Sequence, residues 1–516
     1  MIDAFDETAS RRPKHPCLRW DGGTLDYGEV RALSCRIANG LHASGFEPGQ
    51  KGAVFSPNHP LALVCVLAIL RAGLVWLPLN PRNALEENAQ ILAAFGCDVL
   101  FFPKDFSDQV ATLRAAAPAI RLCICLDEME DGGLEVWAQR FSPEFEPLVL
   151  PPDHLALLSA TGGTTGRSKG VMHSVANVAA FTAAHQALHL RDGEPVFLAA
   201  APITHAGGRI CLAVLRQGGT IVVLPRPDPA EIMRAIERHR VTRMFLPPTA
   251  IYSLLAQPDA RTFDYSSLKY LMYGGAPMSI QKLRLALEVF GPVMSGGYGQ
   301  TEAPLAVAQL SPEDHFENGE LGGKVATDDR LSSCGRPTPF VELRIVDDDD
   351  QTLPTGTRGE VAIRSAIVMQ GYFRNPEATA EAIRSGWHHT GDIGYLDLDG
   401  FLHLVDRKKD MIISGGFNVY PAEVEQVILS LPEVEDCAVV GVPDEKWGEA
   451  VKAVVQLVPG RILSPEQIIA ACRPRLGGVK TPKSVEIWPD LPRSSAGKVL
   501  RRNVRNRFWA DRTRSI

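Results

Sequence analysis

Short apolar runs rich in β-branched residues, each stopped by Pro or Gly and alternating with helix-period stretches, constrain this chain more than any other feature. VFLAAAP at 196–202, TIVVLP at 220–225 and RMFLPP at 243–248 are of this kind. Such alternation is the signature of helices layered on sheets, an α/β fold. In open α/β sheets ligands gather beyond the carboxyl ends of the strands, so the loops closing these runs are where function is expected. At 516 residues the chain exceeds one ordinary core, and two or more domains are expected.

The most apolar run, 62–79, carries Arg71 and Gly73. It reads as a helix followed by a buried strand, because a lipid span takes about 20 uninterrupted apolar residues. The start, MIDAFDETASRRPKHP, is polar and unlike a secretion signal. A net charge of −7, with Lys and Arg spread along the chain except near its end, argues against nucleic acid as the main partner and for small molecules. Ten cysteines lack any C-x-x-C spacing; Cys123 and Cys125 fall on one face of an expected buried strand. A reduced, cytoplasmic protein without a membrane span is expected.

From about Val341 the texture changes to shorter strands, VELRIVDDDDQTLPTGTRGEVAIRS, with Asp347 to Asp350 as a solvated hairpin tip. After Asp406 comes RKKDMIISGGFNVYPAEVEQVI, a charged segment leading to a strand, a Gly-Gly turn and an amphipathic helix. A domain boundary is placed there, giving units 1–408 and 409–516.

The densest chemistry lies in TGGTTGRSKG, Thr161 to Gly170. Its four glycines admit close backbone approach, its threonines supply hydroxyls, and Arg167 and Lys169 add charge, which suits a polyphosphate guest. It is not a G-x-x-x-x-G-K-[ST] loop, since Lys169 follows Ser168 and precedes Gly170. An ordinary Gly-rich surface turn is the alternative for this segment alone.

Four further segments follow in order: GYGQTE at 297–302, GWHHTGD at 386–392, DGFLHLVDRKKDMIISGG at 399–416 and PRSSAGKVLR at 492–501. With these, nearly end to end, the chain resembles the adenylate-forming superfamily of acyl-CoA synthetases, peptide-synthetase adenylation domains and beetle luciferases. The resemblance implies a large N-terminal domain of layered sheets and helices with a small β-rich subdomain, plus a small mobile α+β C-terminal domain. It implies an ATP-dependent carboxylic acid–CoA ligase, in which a carboxylate attacks the α-phosphate of ATP·Mg2+ to give an acyl-adenylate and pyrophosphate, and the CoA thiol then displaces AMP. Loading of a separate carrier protein is the alternative, and a homodimer is compatible with either.

The resemblance also implies roles, motif by motif. Thr161, Gly162, Gly163, Thr164, Thr165, Gly166 and Lys169 would hold the β- and γ-phosphates, although Gly162 and Ser168 depart from the family's usual Ser and Pro. Tyr298, flanked by Gly297 and Gly299, would stack on adenine, with Gly274, Gly275 and Ala276 leaving room beside it. Thr301 would touch phosphate and Glu302 would ligate Mg2+, while the same Thr-Glu pair also suits a helix N-cap. Asp392 would take both ribose hydroxyls and Arg407 would fix the ribose and phosphate end; as isolated residues both also suit surface ion pairs.

Lys498 would be the catalytic lysine that stabilises the pentacoordinate transition state, Lys409 the hinge, and Gly415 with Gly416 the lining of the pantetheine tunnel. In APITHAGGRI at 201–210, His205 would gate the carboxylate site, and Gly207 and Gly208 would leave space for an aromatic, medium-chain or longer acid. Arg209 could pair a second carboxylate on a dicarboxylic substrate, but the expectation for it is a helix-start residue facing solvent. His185 and His189 stand at helical i, i+4 spacing, but Gln186 stands where a zinc hydrolase motif needs Glu.

Overall fold

A computed structural model describes residues 1–127, 133–161, 168–190, 193–444, 447–494 and 499–509. The three runs that open the sequence reading are strands Val196–Ala199, Thr220–Val223 and Arg243–Leu246, and they lie parallel to one another. Tyr270–Gly274 and Met294–Tyr298 extend the same parallel block within a nine-stranded sheet. Their unbroken apolar runs fit strands covered on both faces. The strands end at Ala199, Val223 and Leu246, ahead of the Pro that closes each run, since Pro has no N–H to give the ladder.

A second sheet of seven strands packs beside the first. The run 62–79 supplies its helix Pro60–Arg71 and strand Val75–Leu79, as its length demands. That helix is buried nearly all round, and the guanidinium of buried Arg71 donates to both oxygens of Asp6 at 2.7 and 2.6 Å. No helix of the described residues is long and apolar enough to cross a membrane. Cys125 is buried and Cys123 half-buried on the strand Leu122–Cys125, and all ten cysteines are free.

Residues 342–407 form an antiparallel five-stranded sheet, opened by the pairing of Glu342–Val346 with Gly359–Arg364. The acidic turn between them is solvated, with Asp348 and Asp349 exposed, and it also carries ion pairs. Asp348 accepts from Lys408 Nζ at 2.7 Å and Asp350 from Arg384 Nη2 at 3.0 Å. A fourth sheet draws only on residues 412–487, with the helices Pro421–Leu429, Pro465–Lys480 and Arg501–Trp509 around it.

Asp406, at the end of the third sheet, joins the last two units. Its Oδ2 accepts the Ala422 amide at 2.6 Å, capping the Pro421–Leu429 helix, and its Oδ1 accepts Arg501 Nη1 at 2.6 Å. The Arg501 guanidinium also grips Glu425, through Nε at 2.7 Å and through Nη2. Burial pushes the Glu425 carboxyl up and Arg501 opposes that shift. Removing the cation leaves two buried carboxylates facing each other. Arg501→Met is therefore expected to lower unfolding free energy by about 3 kcal/mol, read as a lower urea midpoint; an unchanged midpoint would show that the joint carries no load.

Candidate active site

The loops after the parallel strands converge on a cavity of about 480 Å3. The first wall is set by Asn58, which the sequence reading missed. Its amide nitrogen donates to the Ala199 and Ala201 carbonyls at 2.9 and 3.0 Å, and its oxygen accepts the Ile203 amide at 2.9 Å. This pins the segment from Ala199 to the helix Ala206–Gln217, at whose N-cap His205 stands. His205 lines the cavity with Nε2 3.2 Å from Asn80 Nδ2. The protein packed around it, reinforced by Arg209, lowers its pKa to about 4, so its ring is neutral.

Gly207 and Gly208 do not provide the expected room, since neither lines the cavity. A Cβ on Gly208 would lie 1.9 Å from the Ile203 carbonyl oxygen, and one on Gly207 2.9 Å from that of Pro202. Their missing side chains let the helix start close against its own lead-in. Arg209 also departs from expectation, being 8% exposed and lining the cavity. Residues 207–215 are all buried, so the helix offers no solvent face at its start. Arg209 Nη2 donates to Ser159 Oγ at 2.9 Å; burial lowers its pKa to about 10, with Glu302 opposing, and the guanidinium stays charged.

The second wall comes from Tyr270–Gly274, Met294–Tyr298 and the turn that follows. Gly274, Gly275, Gly297, Tyr298, Gly299, Thr301 and Glu302 all line the cavity, whereas Ala276, one residue further along its loop, does not. Thr301 and Glu302 form a turn rather than a helix start. Glu302 Oε1 accepts the Tyr372 hydroxyl at 2.9 Å, and Lys169 Nζ lies 4.7 Å above the same ring. Thr161 and Lys169, at the two ends of the Gly-rich loop, line the cavity and pair across strands. Gly162, Gly163, Thr164, Thr165 and Gly166 lie outside the described residues, as does Lys498.

Asp392 is not on the cavity surface; it stands behind it, 5% exposed. Its Oδ1 takes Arg407 Nε at 2.6 Å, and its Oδ2 takes the Tyr298 hydroxyl at 2.6 Å and Gln300 Nε2 at 2.5 Å. Burial, with Asp392 alongside, keeps the Tyr298 phenol protonated and donating. Burial works against the Arg407 charge, but Asp392 and its neighbours outweigh it. Arg407 and Lys409 line the cavity. Gly415 and Gly416 do not: they form the exposed turn between the paired strands Ile412–Ser414 and Phe417–Val419, and a Cβ on Gly415 would meet the Trp447 ring at 2.5 Å.

Among the described lining residues, Lys169, Arg209, Arg407 and Lys409 are cations and Glu302 is the one carboxylate. A pocket with that excess of positive charge suits polyanions. Phe245, Met272, Ile210 and Leu305 add an apolar stretch of lining that accommodates an organic tail.

The AMP-binding enzyme profile matches residues 5–373, and the AMP-binding enzyme C-terminal domain profile matches 423–498. A feruloyl-CoA synthase of Amycolatopsis is 38% identical over 97% of both chains. A medium/long-chain-fatty-acid–CoA ligase of Mycobacterium tuberculosis is 34% identical, over 98% of this chain and 90% of the other. Among solved structures, the amide bond synthetase McbA of Marinactinospora thermotolerans superposes with a TM-score of 0.87 at 33% identity, over 98% of this chain and 99% of that one.

The imidazoles around the site fix its response to acid. His173 and His189 are held at about 3 and His315 at about 4, against 6.5 for the free side chain, chiefly by burial. Between those values and 6.5 the unfolded chain binds protons that the folded chain refuses, so stability rises with pH across that window and falls on acidification. The urea midpoint is expected to drop steadily as pH falls from about 6.5 to about 4. A flat midpoint there would contradict neutral imidazoles.

Proposed function

The chain belongs to the AMP-binding enzyme family, and from that premise we propose that it is an AMP-forming acid–CoA ligase acting on an aromatic or medium- to long-chain acid. The observation that carries this reading is the cavity at the strand ends, where Lys169, Arg209, Arg407 and Lys409 surround Glu302 beside an apolar recess. ATP, a carboxylic acid and CoA are the substrates. The acid's carboxylate oxygen bonds to the α-phosphorus as pyrophosphate leaves, and the CoA sulfur then bonds to the acyl carbon as AMP leaves.

Catalysis of the first step is mostly positioning and charge. Lys169, with Thr161 and the loop residues Gly162 to Gly166, holds the outgoing phosphates. Tyr298 offers its ring to adenine between Gly274, Gly275 and Gly297, its hydroxyl anchored on Asp392. Asp392 reaches the ribose once a sugar hydroxyl takes the place now held by Gln300, and Arg407 keeps the carboxylate aimed. Thr301 hydrogen-bonds phosphate. Arg209 draws the acid's carboxylate into the recess, with neutral His205 at its entrance.

Glu302 gives one oxygen to Tyr372, leaving the other for a hard cation, and no other described carboxylate lines the cavity. That donor set fits Mg2+, which takes few protein ligands and completes its shell with phosphate oxygens and water. When bound, the ion would neutralise phosphate charge.

Residues 409–516 form the second unit, with Lys409 as the pivot. In one orientation Lys498 reaches the reacting phosphate; in the other, Gly415 and Gly416 come to the cavity and admit pantetheine. The free cysteines agree with a cytoplasmic setting.

ATP–pyrophosphate exchange over a panel of acids, followed by loss of free CoA thiol, tests the reading. Exchange with thiol loss is expected; exchange without thiol loss would instead indicate carrier-protein loading. Lys498→Ala should cut adenylate formation by about two to three orders of magnitude while thioester formation from supplied acyl-adenylate survives. Equal loss of both half-reactions would refute the lysine's role.

A further inference from the structure

The buried end of the cavity is built by two histidines of the Val175–His189 helix and by Ser295 of the Met294–Tyr298 strand. Ser295 precedes Gly297 by two residues, which sets it about 7 Å further from the strand end where the phosphate-binding turn begins. His189 has work to do there: its Nε2 lies 3.2 Å from Ser295 Oγ and 3.0 Å from Gln309 Nε2, and its carbonyl accepts Arg243 Nε at 2.6 Å.

His185 is different. It lines the cavity, is 1% exposed, and tilts its ring against His189 with centroids 4.6 Å apart. Neither Nδ1 nor Nε2 has a hydrogen-bond partner. Burial, with His189 and Arg243 adding to it, holds the ring neutral. A neutral imidazole carries one donor and one acceptor, and buried polar atoms are as a rule partnered. His185 stands in the cavity wall beside His189 and Arg243, where Leu or Phe would fill the volume without that unmet demand.

We propose that His185 reads an uncharged oxygen function, a hydroxyl or a carbonyl, at the far end of the acyl group, and thereby sets which acids the cavity accepts. This rests on the acid–CoA ligase reading. Arg243, the cation that acts on both rings, is committed to the His189 carbonyl and to Thr242 Oγ1, so a hydroxylated or oxidised tail fits the neutral His185–His189 pair better than a dicarboxylic acid. Ser295 and Gln309 hold His189 in place and thereby fix the surface against which His185 packs.

Paired acids of one skeleton test the assignment by pyrophosphate exchange: cinnamic against 4-hydroxycinnamic acid, and octanoic acid against its terminal hydroxyl and keto derivatives. The wild type is expected to favour the oxygenated member of at least one pair by about 10-fold or more in kcat/KM, since a site built to hydrogen-bond a group discriminates against its absence. His185→Leu should bring that ratio toward one, and His185→Gln, which keeps a donor and an acceptor, should restore part of it. The ratio is read within each variant, so a loss common to both acids cancels. If His185→Leu fails to fold, the wild-type ratio and the Gln variant decide.

Equal use of both members of every pair by the wild type, or an unchanged ratio in His185→Leu, overturns the proposal and leaves the ligase reading intact. Absence of exchange with any acid overturns the ligase reading and the proposal with it.

Discussion

The carboxylate of Asp392 is the point on which the site depends. Tyr298 and Gln300 reach it from the end of the nine-stranded sheet, and Arg407 reaches it from the neighbouring strand of the β-rich sheet. Two sheets that share no strand are thereby tied, and the three donors to Asp392, Tyr298, Gln300 and Arg407, all line the cavity. Each partner is a donor and Asp392 is the shared acceptor, with the Tyr298 phenol held protonated. Buried polar groups of this sort are stable when every member is satisfied, and the Asp392 side chain has a donor on each oxygen.

Around that tie the cavity divides into two electrical regions. Its outer part gathers cations from separate elements: Lys169 from a strand end, Arg407 from the β-rich sheet and Lys409 from the following turn. The inner part keeps its imidazoles uncharged by burial. Arg209 stands where they meet, with Ser159 as its hydrogen-bond partner and Glu302 close enough to support its charge. A molecule with an anionic head and an uncharged body has one orientation in such a field.

Much of this was legible in the residues. The β-branched runs ended at Pro or Gly, and the strands they became place their loops on the cavity; the motif GYGQTE supplied Tyr298, Thr301 and Glu302 to it directly. What escaped was governed by neighbours distant in sequence. Arg209 resembled a solvent-facing helix-start residue because nothing local shows that the helix is buried on all sides, although the apolar ICLAVL that follows was a hint. Gly207 and Gly208 looked like space because glycine reads the same whether its absent side chain is replaced by a ligand or by backbone. Asn58 carries no motif, and its importance lies in three hydrogen bonds to residues about 140 positions away.

The close approach at Gly208 divides the cavity wall into parts with different evolutionary freedom. Any side chain there collides with the Ile203 carbonyl, a backbone atom that Asn58 holds in place through the Ile203 amide. The helix start can therefore drift little among descendants of this sequence. His185, Ser295 and Met272 line the floor of the cavity from a helix and two strands, and their side chains can change without moving those elements. New acid preferences in this lineage would arise on the floor, while the glycine-bound wall remains as inherited.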